Sequence, residues 1–176
     1  MQKIKIEDCC VDILNSIKKG NAVIVASHEN GLNPNIMTIS FGGVDHIWHK
    51  NLITFMVRKS RHTYDLITET GYLSLGIIKN ENAAKFKHIF NIGGTTSGRD
   101  IDKVKKLGLT TIKSEVSPVP VISEFDITVE CKLYYSMPMY EYSFPDKSTY
   151  YPNDDYHVVM LCGNTEYSKN NLHAPP

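Results

Sequence analysis

The residues with the most chemical promise stand in VRKSRHTY, positions 57–64. Arg58 and Arg61 bring two planar guanidinium forks, and Ser60 and Thr63 bring two hydroxyls. A strand-like pattern ends at Arg58 and a helical one begins just after Ser60. Helix N-termini carry unpaired N–H groups and the positive end of the helix dipole, which suits a phosphate. Guanidinium groups add bidentate, charge-assisted contacts. On spacing alone, a helix capped by Ser60 and decorated with solvated arginines is an equal reading.

Two further stretches have suitable types. TTSGRD, residues 95–100, followed by Lys103, places small hydroxylic residues around Gly98, where backbone can approach an anion closely. Arg99 and Lys103 supply charge, and Asp100 is positioned to cap the next helix. A loop of this kind is more often plain turn chemistry than a site. NPNIMTISFGG, residues 33–43, puts Met37, Thr38 and Ser40 on a strand that runs into two glycines.

Residues 7–19 form a helix with Val11, Ile13, Leu14 and Ile17 on its apolar side, stopped by Gly20. Ala22–Ala26 and Ile36–Phe41 form a hairpin with a long tip at Asn30-Gly31, and Gly42-Gly43 breaks the second strand. Leu52–Val57 is a strand, and the helix after Ser60 runs to Gly71. Tyr72–Ile78 is a strand, and Asn80 opens a helix carrying Ala83, Ala84, Phe86, Ile89 and Phe90. GGTTSGRD is then a loop, followed by a short helix ending at Gly108. SPVPVIS is extended because each proline disfavours helical angles before it. From Ile127, alternation puts Ile127, Val129, Cys131, Leu133 and Tyr135 on one face, opposite Thr128, Glu130 and Lys132. Residues 136–155 are a long loop, and His157–Gly163 is a last strand. Many short strands with inserted helices predict a mainly β fold, a barrel with peripheral helices, in one domain over 1–176 with its core at about 21–166.

Composition narrows the function classes. The 176 residues are 41% hydrophobic and 22% charged, and 19 Lys plus Arg balance 19 Asp plus Glu. No global field favours nucleic acid or an acidic membrane, so any anion site must be local. Cys9, Cys10, Cys131 and Cys162 form no CxxC pair and are expected to be free thiols. MQKIKIEDCC lacks the apolar run of a signal peptide, and no stretch is long enough to span a membrane, so a cytoplasmic location is expected. His46 and His49 beside Trp48 lack a third metal ligand and read as a turn between strands, so no metal is expected. His28, His62 and His88 read as surface or capping residues. YYSMPMYEYSF, residues 134–144, reads as a loop packed on the barrel, with a substrate lid as the alternative.

The order NxMTISFGG, VRKSRHTYDLI, GTTSGRDxDK and DYHxxxxxG resembles the flavin reductase-like domain family, in particular its flavoredoxin-type branch, from about Ala22 to Glu166. The resemblance implies a Greek-key split β-barrel that is homodimeric and binds FMN near the subunit interface. It assigns the phosphate to Arg58, Ser60, Arg61 and Thr63, and the isoalloxazine to Asn35, Ile36, Met37, Thr38 and Ser40. Thr95, Thr96, Ser97, Gly98 and Arg99, with Lys103, become a further flavin-site loop. His157 becomes the catalytic candidate on the nicotinamide side, in DYH where many relatives have GDH. The implied activity is hydride transfer from NAD(P)H through FMN to free flavin, a redox partner or a small acceptor. The alternatives are an FMN electron carrier without an NAD(P)H site and a split-barrel module that binds its ligand without turnover. Hydride chemistry belongs to the cofactor, so no catalytic triad is required.

Overall fold

The computed structural model describes residues 6–79, 81–140 and 147–164. Helix α1 (Ile6–Lys19) opens with Glu7 and Asp8 and closes with Lys18 and Lys19, matching its dipole. Gly20 ends it at φ +70°. Among the described residues, nine strands follow: β1 (Ala22–Ala26), β2 (Asn35–Ile39), β3 (Gly42–Ile47), β4 (Lys50–Arg58), β5 (Tyr72–Ile77), β6 (Thr111–Ile112), β7 (Val121–Ile122), β8 (Ile127–Pro138) and β9 (His157–Asn164). Between them lie α2 (His62–Thr70), α3 (Lys87–Thr95), α4 (Lys103–Leu107) and α5 (Lys147–Tyr150).

Seven strands form one antiparallel sheet in the order β2-β1-β5-β8-β9-β4-β3, and β6 pairs with β7 separately. The two edge strands, β2 and β3, are consecutive in the chain and joined only by Ser40 and Phe41. Three Cα steps from Ile39 to Gly42 reach at most about 11 Å. A flat sheet of this order would hold its edges roughly 29 Å apart, at about 4.8 Å per strand spacing. The sheet therefore curls until its edges nearly meet, giving a barrel split along the β2/β3 seam.

Burial follows from the curl. One face of the sheet packs Ile24, Phe55, Leu75, Val129 and Met160 against Ile13 and Ile17 of α1 and Leu66 and Ile67 of α2. On the other face, Val23, Val25 and Ile36 pack with Ile89, Phe90, Val104 and Phe125. Covered on both sides, β1 is buried at every residue, which explains its unbroken AVIVA.

Several expectations are corrected. Val11 and Leu14 are 67% and 52% exposed, because the buried face of α1 is Ile6, Cys9, Ile13, Ser16 and Ile17. Gly42-Gly43 begins β3 and does not merely interrupt a strand; a Cβ on Gly42 would collide with the Thr54 carbonyl across the pair. Residues 81–86 form turns and helix α3 starts only at Lys87, because the Asp126 carboxylate accepts from Lys79 N and Asn82 Nδ2 and fixes that backbone. The expected cap Asn80 lies outside the described residues. Gly93, Gly94 and Thr95 belong to α3, so the loop is shorter than GGTTSGRD suggests. The cap of α4 is Asp102, whose side chain accepts from Lys105 N, and not Asp100. Strand β8 extends to Pro138 with a bulge between Leu133 and Tyr135. Its Thr128 and Glu130 are also buried, since both faces of the sheet are covered there. None of the four cysteines forms a disulfide.

Candidate functional site

A cavity of about 360 Å³ opens along the seam, beside the free edge of β2, the N-terminus of α2 and the turn after α3. Among the described residues β2 pairs only with β1, so its outer backbone groups face the seam. Met37 and Thr38 lie on this wall, and Ser40 and Phe41 close its corner. Thr38 Oγ1 donates to the Phe90 carbonyl (2.7 Å), tying α3 to the strand. The close approach requires Gly93, where a Cβ would stand 2.6 Å from Thr38 Oγ1.

The end of β4 and the start of α2 supply the charge. Arg61 is the N-cap residue of α2 in extended conformation, with no side-chain cap bond. Ser60 is therefore not the cap; its hydroxyl donates to Asp155 Oδ2 (2.8 Å), and Arg58 Nη1 lies 3.5 Å from the same oxygen. His62 and Thr63 open the helix and line the cavity, where helix geometry leaves their N–H groups without intrahelical acceptors. Thr63 is buried, and its Oγ1 accepts from Asn35 Nδ2 (2.8 Å). Asn35 Oδ1 is buried with no partner. It faces Gly98, in the turn that carries Thr96 and Ser97 to the same wall.

Lys103, 3% exposed, reaches up from α4 and donates to the carbonyls of Thr96 (3.1 Å) and Gly93 (3.4 Å). Burial, and then the nearby Arg61, pull its pKa down to about 8. His157 stands opposite Arg58 in the β4/β9 register and also lines the cavity. Burial and the Arg58 charge hold its imidazole below the ordinary value, and Asp155 opposes them. His62 is lowered by burial and by Arg99. Among the described residues lining this cavity, Arg58, Arg61 and Lys103 are accompanied by no carboxylate.

Most of the residues singled out in the sequence thus meet here. Ile36, Thr95 and Arg99 do not. Ile36 is fully buried on the far side of β2, and Thr95 Oγ1 turns back to Asn91 O. Arg99 pairs with Asp65 and donates to Ser60 O (2.9 Å), on the wall of an adjoining cavity of about 460 Å³. Sequence reasoning missed Phe41, Met56, His62, Gly93 and Gly94 as lining residues. The two glycines read as part of a loop, since a GG pair is a turn signal, and only the fold shows them pressed against Thr38. His46 lies in β3, with its Nδ1 bonded to Asn51 Oδ1 (2.8 Å), and His49 sits in the β3–β4 turn.

Comparison with known proteins gives the class. The flavin reductase-like domain model matches residues 14–144. The chain belongs to that family. An uncharacterized protein of Archaeoglobus fulgidus is 31% identical over 100 residues, covering 57% of this chain and 54% of its own length. The chain thus matches about half the length of that relative. Among solved structures, flavoredoxin of Desulfovibrio vulgaris (Miyazaki F) superposes with TM-score 0.63 at 20% identity, covering 89% of this chain and 70% of the other. Nitrilotriacetate monooxygenase component B of Bacillus cereus gives 0.65 at 17% identity, covering 99% and 81%. An FMN-binding protein of Thermus thermophilus, with bound 1-cyclohex-2-enone, gives 0.62 at 15%, covering 82% and 67%. At these identities the shared property is the split-barrel fold. No helix among the described residues is long and apolar enough to cross a membrane.

Proposed function

We propose that this chain binds FMN in the seam cavity and acts as an FMN-dependent oxidoreductase that takes hydride from NAD(P)H. The observation that carries the reading is a cavity lined by Arg58, Arg61 and Lys103 at a helix N-terminus, in a chain of zero net charge, with Asp155, among the described residues, paired to Arg58 alone of the three. Family membership supplies the ligand class.

The residues fit such a group. The volume is within the roughly 300–1,000 Å³ of small-molecule sites. Arg61 and the His62 and Thr63 N–H groups would hold the phosphate, with Arg58 and Ser60 adjacent. Asn35 Oδ1, buried and unpartnered, would accept from a hydroxyl or ring N–H. The free edge of β2 offers backbone groups to a heterocycle edge, and Met37 offers apolar contact. Bound flavin supplies the hydride acceptance and electron release that amino-acid side chains lack. His157 and Phe41 line the cavity from β9 and the seam corner, where a nicotinamide would approach.

We further infer a homodimer, supported by the exposed Phe41, Trp48, Tyr135 and Met137, and a reducing, cytoplasmic setting, supported by four cysteines outside any disulfide. The test is fluorescence titration with FMN, followed by anaerobic mixing with NADH and NADPH. FMN uptake and bleaching by either nucleotide support the reading. Failure to bind FMN overturns it, and binding without bleaching by either nucleotide replaces it with a carrier that receives electrons from a redox partner.

A further inference from the structure

Tyr151, in the segment before β9, is 7% exposed. Its Oη lies 2.8 Å from His157 Nδ1, and the two rings meet edge to face at 5.6 Å. The phenol ring is itself held: the Arg58 guanidinium lies 5.9 Å from its centroid, and Tyr156 packs on it at 5.0 Å. Phe41 meets the His157 ring at 5.7 Å with an interplanar angle of 79°. The His157 carbonyl accepts from Met139 N (2.9 Å), fixing the backbone below the ring.

We propose that Tyr151 is a positioning residue, donating its phenolic proton to His157 Nδ1 and holding the imidazole as the tautomer that carries its proton on Nε2. The direction follows from the partners. Tyr151 Oη also approaches Met139 Sδ (3.3 Å), but a thioether is a weak acceptor and an imidazole lone pair a strong one. A phenol is also the better donor of the two groups. Burial and Arg58 keep the ring neutral near pH 7, while Asp155 pulls the other way and Arg61 adds to Arg58.

With Nδ1 committed to Tyr151, Nε2 is the nitrogen left for a ligand, and it carries hydrogen instead of a lone pair. His157 then works as a neutral donor to an acceptor oxygen, such as a carboxamide carbonyl, and does not abstract protons. This role toward a nicotinamide rests on the function proposed above; the tautomer itself does not.

The test is 15N NMR of histidine-labelled, ligand-free protein at neutral pH, with His157 assigned by its loss in His157→Gln. The expected result is an unprotonated Nδ1 and a protonated Nε2, widely separated in shift. In Tyr151→Phe the two shifts should move toward each other as the tautomers mix. A proton on Nδ1 in the native protein overturns the proposal without any variant. Unchanged shifts in Tyr151→Phe overturn it as well. A fall in FMN affinity beyond about tenfold in that variant would make Tyr151 a ligand contact and overturn the positioning role. Because no flavin enters the NMR measurement, failure of FMN to bind would leave its result standing.

Discussion

Gly98 presses the turn after α3 onto the start of β2 so closely that a Cβ there would run into Asn35 Oδ1. The two residues fix the width of the cavity at the point where its unpartnered acceptor lies. Gly98→Ala should therefore push the turn and the Asn35 amide apart. Overpacking of this kind costs about 1–3 kcal/mol. Denaturant unfolding should show that loss, and flavin titration should show weaker binding. An unchanged midpoint together with unchanged affinity would mean that the turn moves freely and does not set the cavity.

Arg61 is the N-cap residue of α2 and lines the cavity, which places its guanidinium beside the first N–H groups of the helix. Charge-assisted contacts are worth roughly 1.5–3 kcal/mol. Arg61→Ala should weaken FMN by about one to two orders of magnitude. Riboflavin, lacking the phosphate, should respond little. Isothermal titration of both flavins against both proteins checks this, and equal losses for the two would point to damage to the fold.

Lys103 gives the site a pH signature. Its folded value of about 8 lies below the ordinary lysine value of 10.5, because burial and Arg61 disfavour the charged form. Between those values the unfolded chain binds more protons, so this residue destabilises the fold at and below pH 8 and the penalty is relieved as pH rises toward 10.5. Anion affinity has the opposite slope, since the cation is lost above pH 8. FMN binding should weaken from pH 7 to pH 9, a window in which the phosphate, with its second pKa of about 6, is already largely ionised. His62 and His157, both lowered, titrate below this window. Lys103→Met should flatten the profile, and a native profile that is already flat would remove Lys103 from anion binding.

Trp48, at the β3–β4 turn, is 59% exposed and meets the 45% exposed Tyr135 ring edge to face at 6.3 Å. Light scattering should report a dimer for the native protein. If this aromatic pair is part of the contact, Trp48→Lys should raise the dissociation constant at least about tenfold. A native monomer that binds FMN fully would exclude a site built at an interface.

Local signals revealed the framework that carries the site. Apolar 22–26, the strand running up to Arg58 and the glycine stop at Gly71 were readable because they depend on alternation and on backbone freedom at single positions. Strand β3 was hidden because GGVDHI is an edge strand with little apolar content, and it forms through pairing with β4. The start of α3 was displaced because Asp126, far along the chain, holds Asn82 in a turn that competes with the cap signal at Asn80. Tyr151 gave no sign, since its meaning lies in contacts with His157 and Arg58 that only the folded sheet creates. In α1 the apolar character of Val11 and Leu14 misleads, because the angular series Ile6, Cys9, Ile13, Ser16 and Ile17 marks the buried side.

The Asp155 carboxylate on Ser60 and Arg58 means that the basic end of the cavity already holds a resident anion of its own. At Arg58 an arriving phosphate exchanges with it and does not meet a bare cation. That exchange of one anion for another releases few mobile ions, so the Arg58 contact should add little to the ionic-strength dependence of binding. It also screens out visitors: chloride or sulfate, with nothing else to grip, must compete against a tethered rival, while a ligand with further contacts along β2 can displace it.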